Sequence, residues 1–139
     1  MRSSTSEPSD TNLGEARRWL GQASDDLRGA DRIAGDSEVP ARIACFLAHL
    51  AAEKALKACL ISAEVPFRKI HDLLDIRGHL PASSQSEFAD ADLRELNPWS
   101  IDGRYPGDID EATRDEARQC VAAAGRVVAA ATAVIGAAA

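Results

Sequence analysis

Arg42, His49, Glu53 and Lys57 are the residues whose types and spacing first suggest chemistry. They lie in residues 41–61, ARIACFLAHLAAEKALKACLI, a run without Gly or Pro and rich in Ala and Leu, the strongest helix formers. On a helix at 100° per residue the four fall within about 80° of one another, with Phe46 and Leu60 between them. His49–Glu53 and Glu53–Lys57 are i,i+4 pairs and can touch. Arg42 and His49 have the spacing R-x6-H. An imidazole moves a proton near neutral pH and a guanidinium stabilises phosphate charge, so the two form a candidate catalytic pair acting at a phosphate. The plainer alternative is a solvated or interface face with a His–Glu contact.

Three further places are candidates for ligand binding. Lys54 falls among Ile43, Leu47, Leu50 and Ile61 on the wheel, where a lysine either snorkels to water or meets an anion shared with Lys57 or Arg68. His71, in FRKIHDLLDI, either binds a nucleotide or caps a short helix, and Arg68 and Lys69 just before it concentrate positive charge. The stretch NPWSIDGRYPGD, residues 97–108, holds Arg104 for a phosphate and Tyr105 for stacking on a base, with Pro106 and Gly107 fixing the backbone and Trp99 as a second ring. The competing reading is structural: Trp99 and Tyr105 plug the bundle end and Arg104 pairs with Asp102 or Asp108.

The elements that must position these residues are helices. Leu13, Ala16, Leu20, Ala23, Leu27, Ala30 and Ala34 recur at alternating three and four, which predicts a helix from Asn12 to about Ala34. Residues 1–11, rich in Ser, Thr, Pro and acid, read as a disordered tail before a domain over 12–139. The central helix is apolar most of the way round, as expected of one packed on several sides, and ends near Ala63, before Pro66. A short third helix begins near His71 and ends by Gly78 or Pro81. Ser84 with Glu87 predicts a capped fourth helix running to about Leu96. Asp108, Asp110 and Glu111 crowd the start of the last helix, whose seam is Ala117, Val121, Ala124, Val128, Ala131 and Ile135. The expected fold is an all-α up-down bundle of about five helices, three long and two short.

Composition narrows the function classes. The chain has 139 residues, enough for one domain; 45% are hydrophobic but only 4% aromatic, which favours close-packed helices over a sheet. A net charge of −6 argues against general duplex-DNA binding. Cys45, Cys59 and Cys120 are scattered in apolar runs with no zinc spacing, consistent with core residues in a reducing cytoplasm. No metal cluster, phosphate-binding Gly loop, cofactor motif, leader segment or membrane span is read from the sequence.

CFLAHLAAEKALKACLI resembles the signature helix of the HEPN family, which typically reads like CFHAQQAAEKALKALL. FRKIHDL at 67–73 and the GRYPGD loop at 103–108 are similar to further family pieces in the same order, so the resemblance covers roughly residues 13–135. It implies a helical bundle that forms a homodimer and is paired with a minimal nucleotidyltransferase-like protein, as in a toxin–antitoxin-like pair. HEPN ribonucleases carry an R-x4–6-H motif near the start of a late helix. Here that region has Arg104 but no following His, so the late motif is absent, and the R-x6-H of Arg42 and His49 lies in an earlier helix than the family's. Three functions follow as expectations: a module binding nucleotide or RNA through Arg104, Tyr105, Lys54, Lys57, Arg68 and His71; a metal-independent endoribonuclease using Arg42 and His49; or a structural dimer subunit without ligand.

Overall fold

The structure, a computed structural model, describes residues 3–67, 69–100 and 111–138. Among them are six α-helices and one 3-10 turn, with no strand. The helices are α1 (Ser3–Ala34), α2 (Ala41–Ser62), α3 (Leu73–Gly78), α4 (Ala82–Gln85), α5 (Asp90–Leu96) and α6 (Arg114–Ala138), and the 3-10 turn is Asn97–Trp99. The expected all-α bundle is therefore present, with three short helices in place of two.

The long helices α1, α2 and α6 form the core, with α2 packed against both of the others. Their contact faces are built largely from alanine. Ala16, Ala23 and Ala30 of α1, Ala44, Ala48, Ala51, Ala52 and Ala55 of α2, and Ala117, Ala124 and Ala131 of α6 are completely buried. Small side chains let the helix backbones approach closely, and a larger residue such as Leu at Ala48 would overpack the seam at a cost of about 1–3 kcal/mol. Bulk comes from Leu56, Leu60, Leu73, Ile76, Leu93 and Leu96, each worth about 1.5–3 kcal/mol on full burial. The three cysteines are buried and unpaired, and burial pushes the Cys59 thiol up to about 12.

The expectations and the structure part at three places. The helix expected from Asn12 begins at Ser3, so the stretch expected to be a disordered tail is helical from Ser3 onward. Extending an existing helix adds one hydrogen bond per residue without a new nucleation cost, a gain that composition does not register. The expected fourth helix is broken into α4 and α5. Ser84 lies inside α4, which follows Pro81, and does not open a capping box. Burial of Phe88 draws the chain inward, with its carbonyl held by Arg77 Nη1 at 2.9 Å, and Ala89 is extended before α5.

The last helix starts later than the acids at 108–111. Its start is a reciprocal capping box: Thr113 Oγ1 accepts from the Glu116 amide at 3.0 Å, and Glu116 Oε1 from the Thr113 amide at 2.8 Å. On α2 the side with the larger residues is not the most buried one. Ile43, Leu47, Leu50 and Ile61 are only partly buried, because close packing against α1 and α6 selects the alanine face.

Arg114 ties the start of α6 to the turn between α1 and α2. Its guanidinium donates to the carbonyls of Ile33 (2.9 Å), Ala34 (3.3 Å) and Val39 (2.7 Å), satisfying the C-terminal end of α1 and the turn into α2. By length and composition alone, Arg114–Ala137 of α6 would also reach across a membrane. Within the bundle Ala117, Cys120, Ala124, Val127, Ala131 and Ile135 of this helix are buried.

Candidate functional site

The end of α2 sets up the site. After Ser62 the chain leaves the helix through Ala63, and Glu64 takes φ 60°, the left-handed conformation usually given to Gly. The Val65 amide donates to the Leu60 carbonyl at 2.9 Å and the Glu64 amide to Ile61 at 3.0 Å, the Schellman pattern. This reversal brings Phe67 over Lys57, with Nζ 5.5 Å from the ring centre, and sets Trp19 of α1 edge-on to Phe67 at 5.5 Å. Two side chains then fix the start of α3. Asp72 Oδ1 accepts from the Asp75 amide at 3.0 Å, and Asn97 Oδ1 from the Leu73 amide at 2.9 Å. His71, immediately before this cap, is carried onto the polar stripe of α2.

Glu53 is the centre of that stripe. Its Oε2 accepts from Lys57 Nζ at 2.8 Å and lies 2.9 Å from His71 Nδ1, while Oε1 is 3.6 Å from His49 Nδ1. His49, Glu53 and Lys57 are 3, 6 and 6% exposed, so a face that reads as solvated is interior. Charge is balanced there by the Glu53–Lys57 pair, as a buried ionic group requires. Burial holds the His49 imidazole below the usual histidine range, against the opposing pulls of Glu53 and of the His71 backbone. The ring is therefore neutral near pH 7. A cavity of about 240 Å³ opens beside it, lined by Phe46, Leu47, His49, Leu50, Glu53, His71, Trp99 and Ser100. Trp99 is buried and stands edge-on to Phe46, with ring centres 6.4 Å apart. His71 and Ser100 also border an outer basin of about 440 Å³ with Lys69, Asp72 and Asn97. Among the described residues no group of three or more His, Cys, Asp and Glu side chains is arranged to hold a metal.

The structure distributes the expected site residues unevenly. His49, Lys57 and His71 are brought together through Glu53. Arg42 is not part of that cluster: its Nη1 is 3.2 Å from Glu111 and its side chain is 41% exposed. Lys54 does not reach Lys57's partner but pairs with Asp26 of α1 at 2.8 Å. His71 does not cap α3, a role filled by Asp72. Arg68, Arg104 and Tyr105 lie outside the described residues. Sequence reasoning saw Glu53 only as a neighbour of His49 and Lys57. The signal for its central role was its position midway between two potential donors at i−4 and i+4. Ser100 and the ring of Phe46 carried no such signal.

The HEPN domain family model matches residues 16–134. The chain belongs to the HEPN family. Two solved structures share the HEPN fold seen here. TT1696 from Thermus thermophilus is 29% identical, with a TM-score of 0.73, and the match covers 86% of this chain and 97% of that one. ST0689, an archaeal HEPN homologue, is 26% identical, with a TM-score of 0.64 and the same coverage of each chain. No curated protein shows significant sequence similarity to this HEPN chain.

Proposed function

We propose that this HEPN domain is a nucleotide- or RNA-binding module, acting as a homodimer beside a minimal nucleotidyltransferase-like partner in a toxin–antitoxin-like pair. The observation that carries the binding part is the cavity beside His49. It is small, walled by Phe46, Leu47, Leu50 and Trp99, and backed by the polar groups of His49, Glu53 and His71. An apolar slot with a few convergent polar groups is the usual form of a small-ligand site. Arg68 and Lys69 precede His71 in the chain, and Arg104 and Tyr105 follow Ser100, so the phosphate- and base-contacting residues proposed from sequence flank the cavity's lining along the chain.

Homodimerisation is supported by the outward side of α2 away from the cavity, where Ile43 and Ile61 are only partly buried. Pairing with a nucleotidyltransferase rests on the family resemblance. The endoribonuclease alternative has weaker support, because the Arg42 guanidinium is engaged by Glu111 and His49 is turned to Glu53. Calorimetric titration with ATP and with a short single-stranded RNA tests the binding reading. Saturable binding of either is expected, and absence of both at millimolar ligand (a free energy of about −4 kcal/mol) rejects it.

A further inference from the structure

We infer that the ligand of this site is a ribonucleotide recognised through its 2′-hydroxyl, with His71 Nε2 as the hydrogen-bond acceptor. This rests on the nucleotide reading above and specifies the sugar and the residue that selects it.

Glu53 sets the chemistry of His71. His71 Nδ1 lies 2.9 Å from Glu53 Oε2, and a ring nitrogen bonded to a carboxylate carries the proton. In the neutral ring Nε2 is then the acceptor, and the shape of the imidazole turns it away from Glu53. The anchor is interior: the Glu53 side chain is 8% exposed, and Lys57 Nζ holds the same oxygen at 2.8 Å. The His71 side chain, by contrast, is 38% exposed. It is oriented from the core and still reachable from outside, whereas His49 is 3% exposed and is not.

His71 also stands where two unlike spaces meet. The inner cavity, about 240 Å³, is walled by Phe46, Leu47, Leu50 and Trp99. The outer basin, about 440 Å³, is bordered by Lys69, Asp72, Asp75 and Asn97. His71 and Ser100 line both. An apolar slot adjoining a polar basin matches a nucleoside, a flat base joined by one bond to a hydroxylated sugar. The slot is below the ~300–1,000 Å³ typical of drug-sized ligands and has room for the base alone. The sugar then falls at the boundary. The 2′-hydroxyl is the sugar hydroxyl nearest the base, and it can donate to Nε2. A phosphate at the same place brings a second acceptor to Nε2 and negative charge beside Asp72 and Asp75. A deoxyribose brings no donor.

The test uses the full chain, labelled with 15N-histidine. ATP is set against 2′-deoxy-ATP, and a short oligoadenylate RNA against DNA of the same sequence. In whichever pair binds, the ribo form is expected to be roughly three- to tenfold tighter, the worth of one hydrogen bond in a half-exposed place. In the free protein the His71 nitrogen signals should show the proton on Nδ1, and the ribo ligand should shift Nε2 more than the deoxy ligand. His71→Phe keeps a ring at the boundary and should bring the ribo form down to the deoxy level. If that variant does not fold, the paired ligands and the nitrogen signals of the unaltered chain decide. Equal affinity for ribo and deoxy forms, a His71 proton on Nε2, or an Nε2 signal unmoved by the ribo ligand overturns this inference and leaves the nucleotide reading standing. Failure of both ATP and RNA to bind overturns both.

Discussion

Arg42 and His49 occupy one stripe of one helix, two turns apart, and have opposite fates. Arg42 meets Glu111 across solvent, with side chains 41% and 73% exposed. His49 meets Glu53 in the interior, with side chains 4% and 8% exposed. Both contacts bring a basic nitrogen to a carboxylate, at 3.2 and 3.6 Å. What separates them is the cover. The chain leaving α2 folds Phe67 and His71 back over the lower stripe, while Trp99 stands beside His49 at the cavity. An ionic contact therefore has no fixed meaning until its dielectric surroundings are known. Exposed pairs contribute little, whereas a buried carboxylate shared by two imidazoles and an ammonium is coupled to stability.

The comparison breaks most sharply at Glu53. Glu53→Ala leaves Lys57 buried without its counter-charge, and a loss of about 3–5 kcal/mol is expected in urea unfolding. A loss below about 1 kcal/mol would mean that the stripe is solvated after all. Arg114→Ala comes next. It removes three bonds from a charged donor to backbone carbonyls at the end of α1 and in the turn into α2, and about 1.5–3 kcal/mol should be lost in the same assay. Amide hydrogen exchange should rise first around residues 33–39. Uniform exchange across the bundle would remove Arg114 from the role of a clamp.

The third effect depends on pH. The folded state holds the His49 pKa below its ordinary 6.5, so below that pH the unfolded chain binds the extra proton more readily. His49's contribution is thus unchanged above pH 6.5 and stability is lost as pH falls below it, by at most about 1.4 kcal/mol per pH unit. Between pH 7.5 and 5.5 (about one unit either side of the histidine range) the melting temperature of the unaltered protein should fall by more than that of His49→Leu. Parallel curves would assign the loss to other groups. Smallest of all is Arg42→Ala, expected to change stability by about 0–1 kcal/mol and less in high salt. A larger loss would show that the two ends of the stripe are alike.

Much of the fold was legible from periodicity. The end of α1 at Ala34 and the span of α2 follow from residue spacing and from Gly35 and Pro40. The break between α4 and α5 was not legible, because it depends on where Phe88 finds room in the core. Arg114 was invisible for a similar reason: its partners, Ile33, Ala34 and Val39, are some eighty positions away in the chain. For the site, the wheel correctly grouped His49, Glu53 and Lys57, since i,i+4 neighbours are set by helix geometry alone.

By itself the sequence determined the helices and the order of chemically capable groups along α2. Helix geometry is local, and Ala- and Leu-rich runs without Gly or Pro leave few alternatives. Only the tertiary structure decided which side of α2 is interior. Alanine gains little hydrophobic energy per residue but permits close backbone approach, so the small face packed inward and Ile43, Leu47 and Leu50 were left partly open. The same packing, followed by the reversal at Glu64, covered one end of the polar stripe and not the other. Burial is a property of what lies above a side chain, and no spacing within α2 encodes that.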